Sequence, residues 1–151
     1  MYRVYIDRDV NGELYERLMR YMFLKSDSFS LLCRDEIEDK SSIYAFLKLL
    51  DSQFLKREIV MSWPGTTTTK HHELYYFKTS EESLITIFSV GKGLMQLVHP
   101  FLPEDLAIYN GTDLQYFSTV HENHFVLLLK NESEYNEFLA IGDIKHNVSE
   151  I

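Results

Sequence analysis

Apolar positions along the chain change period several times, and each change marks an element. Residues 2–7, YRVYID, alternate, with Tyr2, Val4 and Ile6 on one side, as in a half-buried strand. The next stretch, GELYERLMRYMF, switches to helical spacing. Leu14, Leu18 and Met22 with Tyr15 and Met19 form one stripe, and Asn11 stands at the N-cap position. SFSLLCR reads as a short buried strand and RDEIEDK as an acidic loop. SIYAFLKLLDSQF puts Ile43, Phe46, Leu47, Leu50 and Phe54 on one helical stripe, with Ser41 or Ser42 as its cap. These patterns predict helices near 12–24 and 41–55.

Further on, EIVMSW reads as a strand stopped by Pro64-Gly65, PGTTTTKHH as a polar exposed connection, and HELYYFK as an aromatic-rich strand. TSEESLITIFSV carries opposed signals. Thr79 with Glu82 forms a capping-box pattern, while Ile85, Thr86 and Ile87 are β-branched; a short helix ending near Gly91 is preferred. LAIYNGTDLQYFSTVHENHFVLLLK predicts a three-stranded meander. Its first turn is taken as the three-residue loop Tyr109-Asn110-Gly111, pairing Leu106 with Leu114 and Ile108 with Thr112. Its second is taken as a two-residue loop at Glu122-Asn123, pairing Val120 with Phe125 and Tyr116 with Leu129. That register puts Leu114, Tyr116, Ser118, Val120, Phe125, Leu127 and Leu129 on the core face. NESEYNEFLAIG closes as a helix with Ser133 as cap and Gly142 as stop. The tail from Asp143 is polar and expected to fray.

With 151 residues, no linker and no repeat, this is one domain, and the mixture of elements predicts an α+β fold: an antiparallel sheet around the C-terminal meander, covered by the two predicted helices. Ten Tyr and ten Phe predict an aromatic core. The net charge of −8 and the absence of a basic stripe argue against nucleic acid as a partner. The first residues lack the apolar stretch of a secretory signal, and no run is long enough to span a bilayer, so a cytoplasmic protein without membrane association is expected. The Asn-x-Ser/Thr triplets at Asn110, Asn131 and Asn147 are then accidents of composition.

Candidate chemistry is scattered. His121 and His124 flank Glu122-Asn123, and in the hairpin register they face each other as a cross-strand pair on the solvent side, able to share a metal ion. Two ligands do not make a catalytic zinc site, and a third would have to come from His99, from His71-His72 or from a distant carboxylate. Exposed histidines at a hairpin tip are the preferred reading. Glu104 and Asp105 are adjacent carboxylates, expected on opposite faces of a strand and so better placed to solvate or cap a turn than to act together. Cys33, among apolar neighbours, reads as a buried inert thiol. Trp63 could anchor a partner, although a core position at a strand end is favoured. Asp35, Glu36, Glu38 and Asp39 form an acidic patch suited to a basic protein, as in an immunity protein that neutralises a basic toxin.

The opening MYRVYIDRDVNGELYERL, the stretch SWPGT and the pattern LPEDLAIY…STVHE together resemble a group of small uncharacterised proteins of Gram-positive spore-forming bacteria, some labelled as sporulation proteins. The resemblance implies no activity and no catalytic residue. The run Pro103-Glu104-Asp105-Leu106 also bears a narrow likeness to the immunity-type superfamily typified by the yeast cell-wall regulator domain.

The expectation is a non-enzymatic, acidic protein-interaction domain, immunity-like, with a basic protein as partner, no catalytic residues and no cofactor. The alternative is a metal-dependent or acid–base enzyme using His121 and His124 with a carboxylate such as Glu104. A homodimer formed through an aromatic-rich edge strand, HELYYFK, is a third expectation.

Overall fold

The computed structural model describes all of residues 1–151. In chain order the elements are β1 (Tyr2–Ile6), α1 (Gly12–Leu24), β2 (Ser28–Cys33), α2 (Ser41–Leu49), β3 (Phe54–Trp63), β4 (Thr66–Lys78), α3 (Glu81–Phe88), β5 (Glu104–Asn110), β6 (Asp113–Thr119), β7 (His124–Leu129), α4 (Glu132–Ile141) and β8 (His146–Glu150). The strands form one eight-stranded sheet in the order β3-β4-β2-β5-β6-β7-β1-β8. Every neighbouring pair is antiparallel. The fold is α+β, as the alternation of periods predicts. No helix is long and apolar enough to cross a membrane.

All four helices contribute to a core on one face of the sheet. Leu18, Met19 and Met22 of α1, Ile43, Phe46 and Leu47 of α2, Leu84 and Ile87 of α3 and Phe138 of α4 pack there. The sheet supplies Val4, Phe29, Leu31, Phe77, Leu106, Ile108, Tyr116, Phe125 and Leu127, the alternate residues of their strands. The predicted core face of the meander is thus the observed one, with Leu114 half-buried at its margin.

Several details differ from the sequence reading. Helix α2 stops at Leu49, and Phe54 belongs to β3 with its side chain exposed; a short 3-10 turn at Asp51–Gln53 intervenes. Ser80 and Ser83 form the capping box of α3, in place of Thr79 and Glu82. Asn131, in place of Ser133, caps α4. The polar run Thr66–Lys70 is strand rather than loop. It extends β4 along β3, leaving only Pro64-Gly65 as the turn. Its threonines are β-branched and fit a pleated surface well. HELYYFK therefore lies inside the sheet between β2 and β3, and the edge strands are β3 and β8. The tail does not fray: His146–Glu150 pairs along β1 as β8.

The meander keeps its predicted faces but not its pairings. The first turn is Gly111-Thr112, with Asn110 opposite Asp113 and Tyr109 opposite Leu114. A bulge at Gln115 then sets Ile108 opposite Tyr116. The second pairing places Tyr116 opposite Leu127 and Thr119 opposite His124, with a 3-10 turn at Val120–Glu122 and Asn123 left-handed. That shift is two residues, so every side chain stays on its expected face.

The long β3–β4 hairpin bends across the helix-free face. Its Pro64-Gly65 turn fits the type II pattern, with Gly65 at φ +86. The tip reaches β6, three strands from β4 in the sheet, and a Cβ at Gly65 would lie 2.6 Å from Thr119 Oγ1 and 2.9 Å from Phe117 Cδ2. Beneath the hairpin, Leu32, Trp63 and Leu74 form a second, smaller apolar cluster. Gly111 also has positive φ (+61) but open space around it. Gly111→Ala is therefore expected to cost about 1 kcal/mol from backbone strain. Gly65→Ala should cost roughly 1–3 kcal/mol beyond that, because a methyl group is forced into packed atoms. Urea unfolding of the two variants measures the difference, and equal losses would contradict the close docking of the hairpin tip.

Candidate functional site

The chemistry-bearing residues converge where β2 and β5 meet under the bent hairpin. Alternation along β5 would send Glu104 and Asp105 to opposite faces, which is the basis for reading them as a solvated turn. The structure overturns that reading. The β2–β5 register slips by one residue between Ser30 and Leu32, and Asp105 takes φ +55. This bulge turns both carboxylates to the helix-free face while Leu106 still enters the main core. Glu104 is 0% exposed and Asp105 2%.

Both carboxylates are fully engaged. Arg34 Nε donates to Glu104 Oε2 at 2.9 Å, the His99 backbone N–H donates to Oε1 at 3.1 Å, and His121 Nε2 lies 2.9 Å from the same Oε1. Asp105 accepts from Trp63 Nε1 at 2.9 Å and from the Val120 N–H at 3.0 Å. The Arg34 guanidinium also stands 3.9 Å from Asp105 and over the Trp63 ring, 5.2 Å from its centroid. One cation thus serves two buried carboxylates, and they titrate apart. For Glu104, burial pushes the pKa upward, but the Arg34 bond and the backbone N–H of His99 outweigh it and leave it lowered. For Asp105, burial and then the negative charge of Glu104 outweigh its hydrogen bonds and hold the pKa raised.

Two buried imidazoles complete the cluster by accepting backbone donors. The Arg34 N–H donates to His99 Nε2 at 3.0 Å, and the Asp35 N–H donates to His72 Nδ1 at 3.0 Å. His99 Nδ1 lies 2.8 Å from the Leu102 carbonyl, which can only accept, so the ring is neutral with its proton on Nδ1. Burial holds both imidazoles below the ordinary histidine pKa. The acidic loop therefore leaves β2 with its first two backbone donors fixed to the protein interior. Along it, Asp35, Glu36, Glu38 and Asp39 are all exposed. Lys40 lies 3.6 Å from Asp35 and Arg34 3.7 Å from Glu36, while Asp39 Oδ1 accepts from the Ser41 N–H at the start of α2.

The other candidates fall apart from this cluster or into its frame. His121 and His124 do not face each other. His121 sits in the 3-10 turn and bonds Glu104, whereas His124 opens β7 and lies 3.6 Å from Glu122. No three His, Cys, Asp or Glu side chains gather as metal ligands would. Trp63 is 6% exposed and its indole N–H is committed to Asp105, the core position at a strand end that the sequence favours over a partner anchor. Cys33 is buried in the main core, where desolvation pushes its thiol up to about 11. Arg34 and His99 as partners of Glu104, and His72 as an acceptor for the Asp35 N–H, escape the sequence reading, because only a register that includes the bulge brings these residues together. No family model, curated protein or solved structure matches this chain.

What the arrangement can do chemically follows from access. None of the five principal cavities is lined by Glu104 or Asp105. His121, with its side chain 55% exposed, and to a lesser extent Arg34, at 19%, carry the cluster to solvent. Removing one member of a buried ion pair leaves an unpaired charge, so Glu104→Gln is expected to destabilise by about 3 kcal/mol. The native pKa of Glu104 lies below its unfolded value, so its contribution is present above the ordinary carboxylate range and is lost as pH falls through the native pKa. The depressed His72 and His99 act in the same direction: unfolded imidazoles bind protons that the native ones refuse, so stability falls as pH drops below about 6.5. The raised Asp105 opposes both. Denaturant midpoints between pH 7 and pH 4 should decline, and less steeply for Glu104→Gln at the acid end; parallel profiles would contradict the assignment.

Proposed function

We propose that this protein is a non-enzymatic interaction domain whose acidic loop, Asp35 to Asp39, receives a basic protein. The observation that carries this reading is the anchoring of that loop: the backbone N–H groups of Arg34 and Asp35 are held by the buried rings of His99 and His72, each at 3.0 Å. A loop already fixed in place loses little conformational freedom on binding, which is where a preorganised surface gains affinity. Its exposed carboxylates, in a chain of net charge −8, would steer an oppositely charged partner. The buried cluster then acts as a pedestal for the loop. Its sealed position supports structure over turnover, since a reacting group must reach its substrate.

A second reading rests on one distance. His121 Nε2 lies 2.9 Å from a buried, ionised Glu104, which orients an exposed imidazole as a general base is oriented. None of the five principal cavities has His121 in its lining.

The test begins with recovery of a stoichiometric basic protein from the source cell and continues with the association rate of the purified pair. The double variant Glu36→Lys/Glu38→Lys should slow association by about tenfold or more, and raising the salt should slow the wild type similarly. A rate indifferent to both would overturn the loop as the docking surface. Loss of a measurable turnover in His121→Gln, with binding intact, would favour the second reading.

A further inference from the structure

The opposite end of β5 holds a different feature. Between α1, the β5–β6 turn and β7 lies a cavity of about 430 Å³. Its walls include Met22, Leu114, Leu127 and Leu129, three of which are buried core residues. The volume falls in the lower part of the roughly 300–1,000 Å³ range of small-molecule sites, and an apolar floor below a polar rim suits a ligand that is apolar at one end and polar at the other. The turn beside it is pinned: the Gly111 N–H donates to Asp27 Oδ2 at 2.9 Å, and the Asp27 N–H donates to the Tyr109 carbonyl at 3.0 Å.

The rim decides the ligand class. The charged side chains there are already answered from within the protein, and the Met1 ammonium, which also lines the cavity, donates to the Ile151 carbonyl at 3.4 Å. Lys25 Nζ lies 2.6 Å from Glu137 and 3.8 Å from Glu134, Glu134 Oε2 accepts from the Lys130 N–H at 2.7 Å, and Lys130 Nζ lies 3.8 Å from Asp113. A charged ligand head would give up water without gaining an unpaired counterion. Two polar side chains are unanswered, the Thr112 hydroxyl, which is exposed at the turn, and the half-buried carboxamide of Gln115. Gln115, the extra residue of the β6 bulge, lines the cavity, is half-buried, and its carboxamide makes no hydrogen bond within the chain. A carboxamide offers both a donor and an acceptor, the complement of an alcohol or an amide.

We infer that this cavity binds a small uncharged amphiphile, an apolar chain or ring bearing a hydroxyl or amide head that meets Gln115. The site lies apart from the acidic loop and does not depend on it. The probes are 1-octanol, octanoate and octylammonium, which share a chain and differ in the charge of the head. Titration of the full chain, followed by backbone amide NMR shifts, should show saturable binding of 1-octanol with the shifts centred on Leu114, Leu127 and Leu129. Both ions should bind about tenfold more weakly or worse, the cost of a buried head without a partner. Leu114→Trp, which fills the cavity, should abolish binding, and Gln115→Leu should weaken 1-octanol several-fold while leaving the site apolar. Absence of saturable binding, equal binding of the ions, shifts centred elsewhere, or a folded Leu114→Trp that binds as well as wild type would each overturn the inference. If Leu114→Trp does not fold, the shift map and the ranking of the three heads decide alone.

Discussion

The ion pair between Arg34 and Glu104 is the constraint around which the helix-free side of the molecule is arranged. A wholly buried carboxylate is tolerated only when its charge is met, and here it is met by a guanidinium, a backbone N–H and an imidazole. Meeting it requires the bulge at Asp105, which brings a second carboxylate inward, and that carboxylate in turn requires Trp63 and the Val120 N–H. Trp63 ends β3, so the hairpin must bend inward to deliver it. The curl of the sheet, the burial of its only tryptophan and the setting of the acidic loop are thus consequences of one charge placed in the interior.

Much of this architecture is legible in the amino-acid sequence. Helical spacing locates α1 and the body of α2, and alternation locates the meander and assigns its faces correctly even where the pairing is off by two. What escapes is whatever depends on a break in period. Asp105 at positive φ carries no local signal, since aspartate is only modestly suited to that region. Without it, Glu104 and Asp105 are assigned to opposite faces and their partners stay invisible. The run of threonines after Gly65 looks polar, although four β-branched residues are good strand formers, and hydrophobicity outweighed propensity in reading it as a loop. The last strand, HNVSE, lacks an apolar face because it is an edge with little to bury; its pairing with β1 and the packing of His146 against Tyr135 and Phe138 hold it in place.

β5 divides the molecule's prospects. At its first residue the side chains are ionised, buried and mutually satisfied, and what they present outward is a fixed negative loop. At its last residues the sheet is pinned by Asp27 but left hollow beside α1, with apolar walls and a self-neutralised rim. Rigid electrostatics and unfilled apolar volume favour different kinds of partner, the first a large charged surface and the second a small neutral molecule.

The place of β1 carries a consequence for how the fold is reached. Its two sheet neighbours are β7 and β8, the final strands of the chain. During synthesis β1 emerges well before β7 and β8, and its hydrogen-bonding edges stay open until those two strands follow. Such distant pairing makes for slow, late closure, and in the interval Val4 and Ile6 are exposed to the aggregation that chaperones exist to prevent.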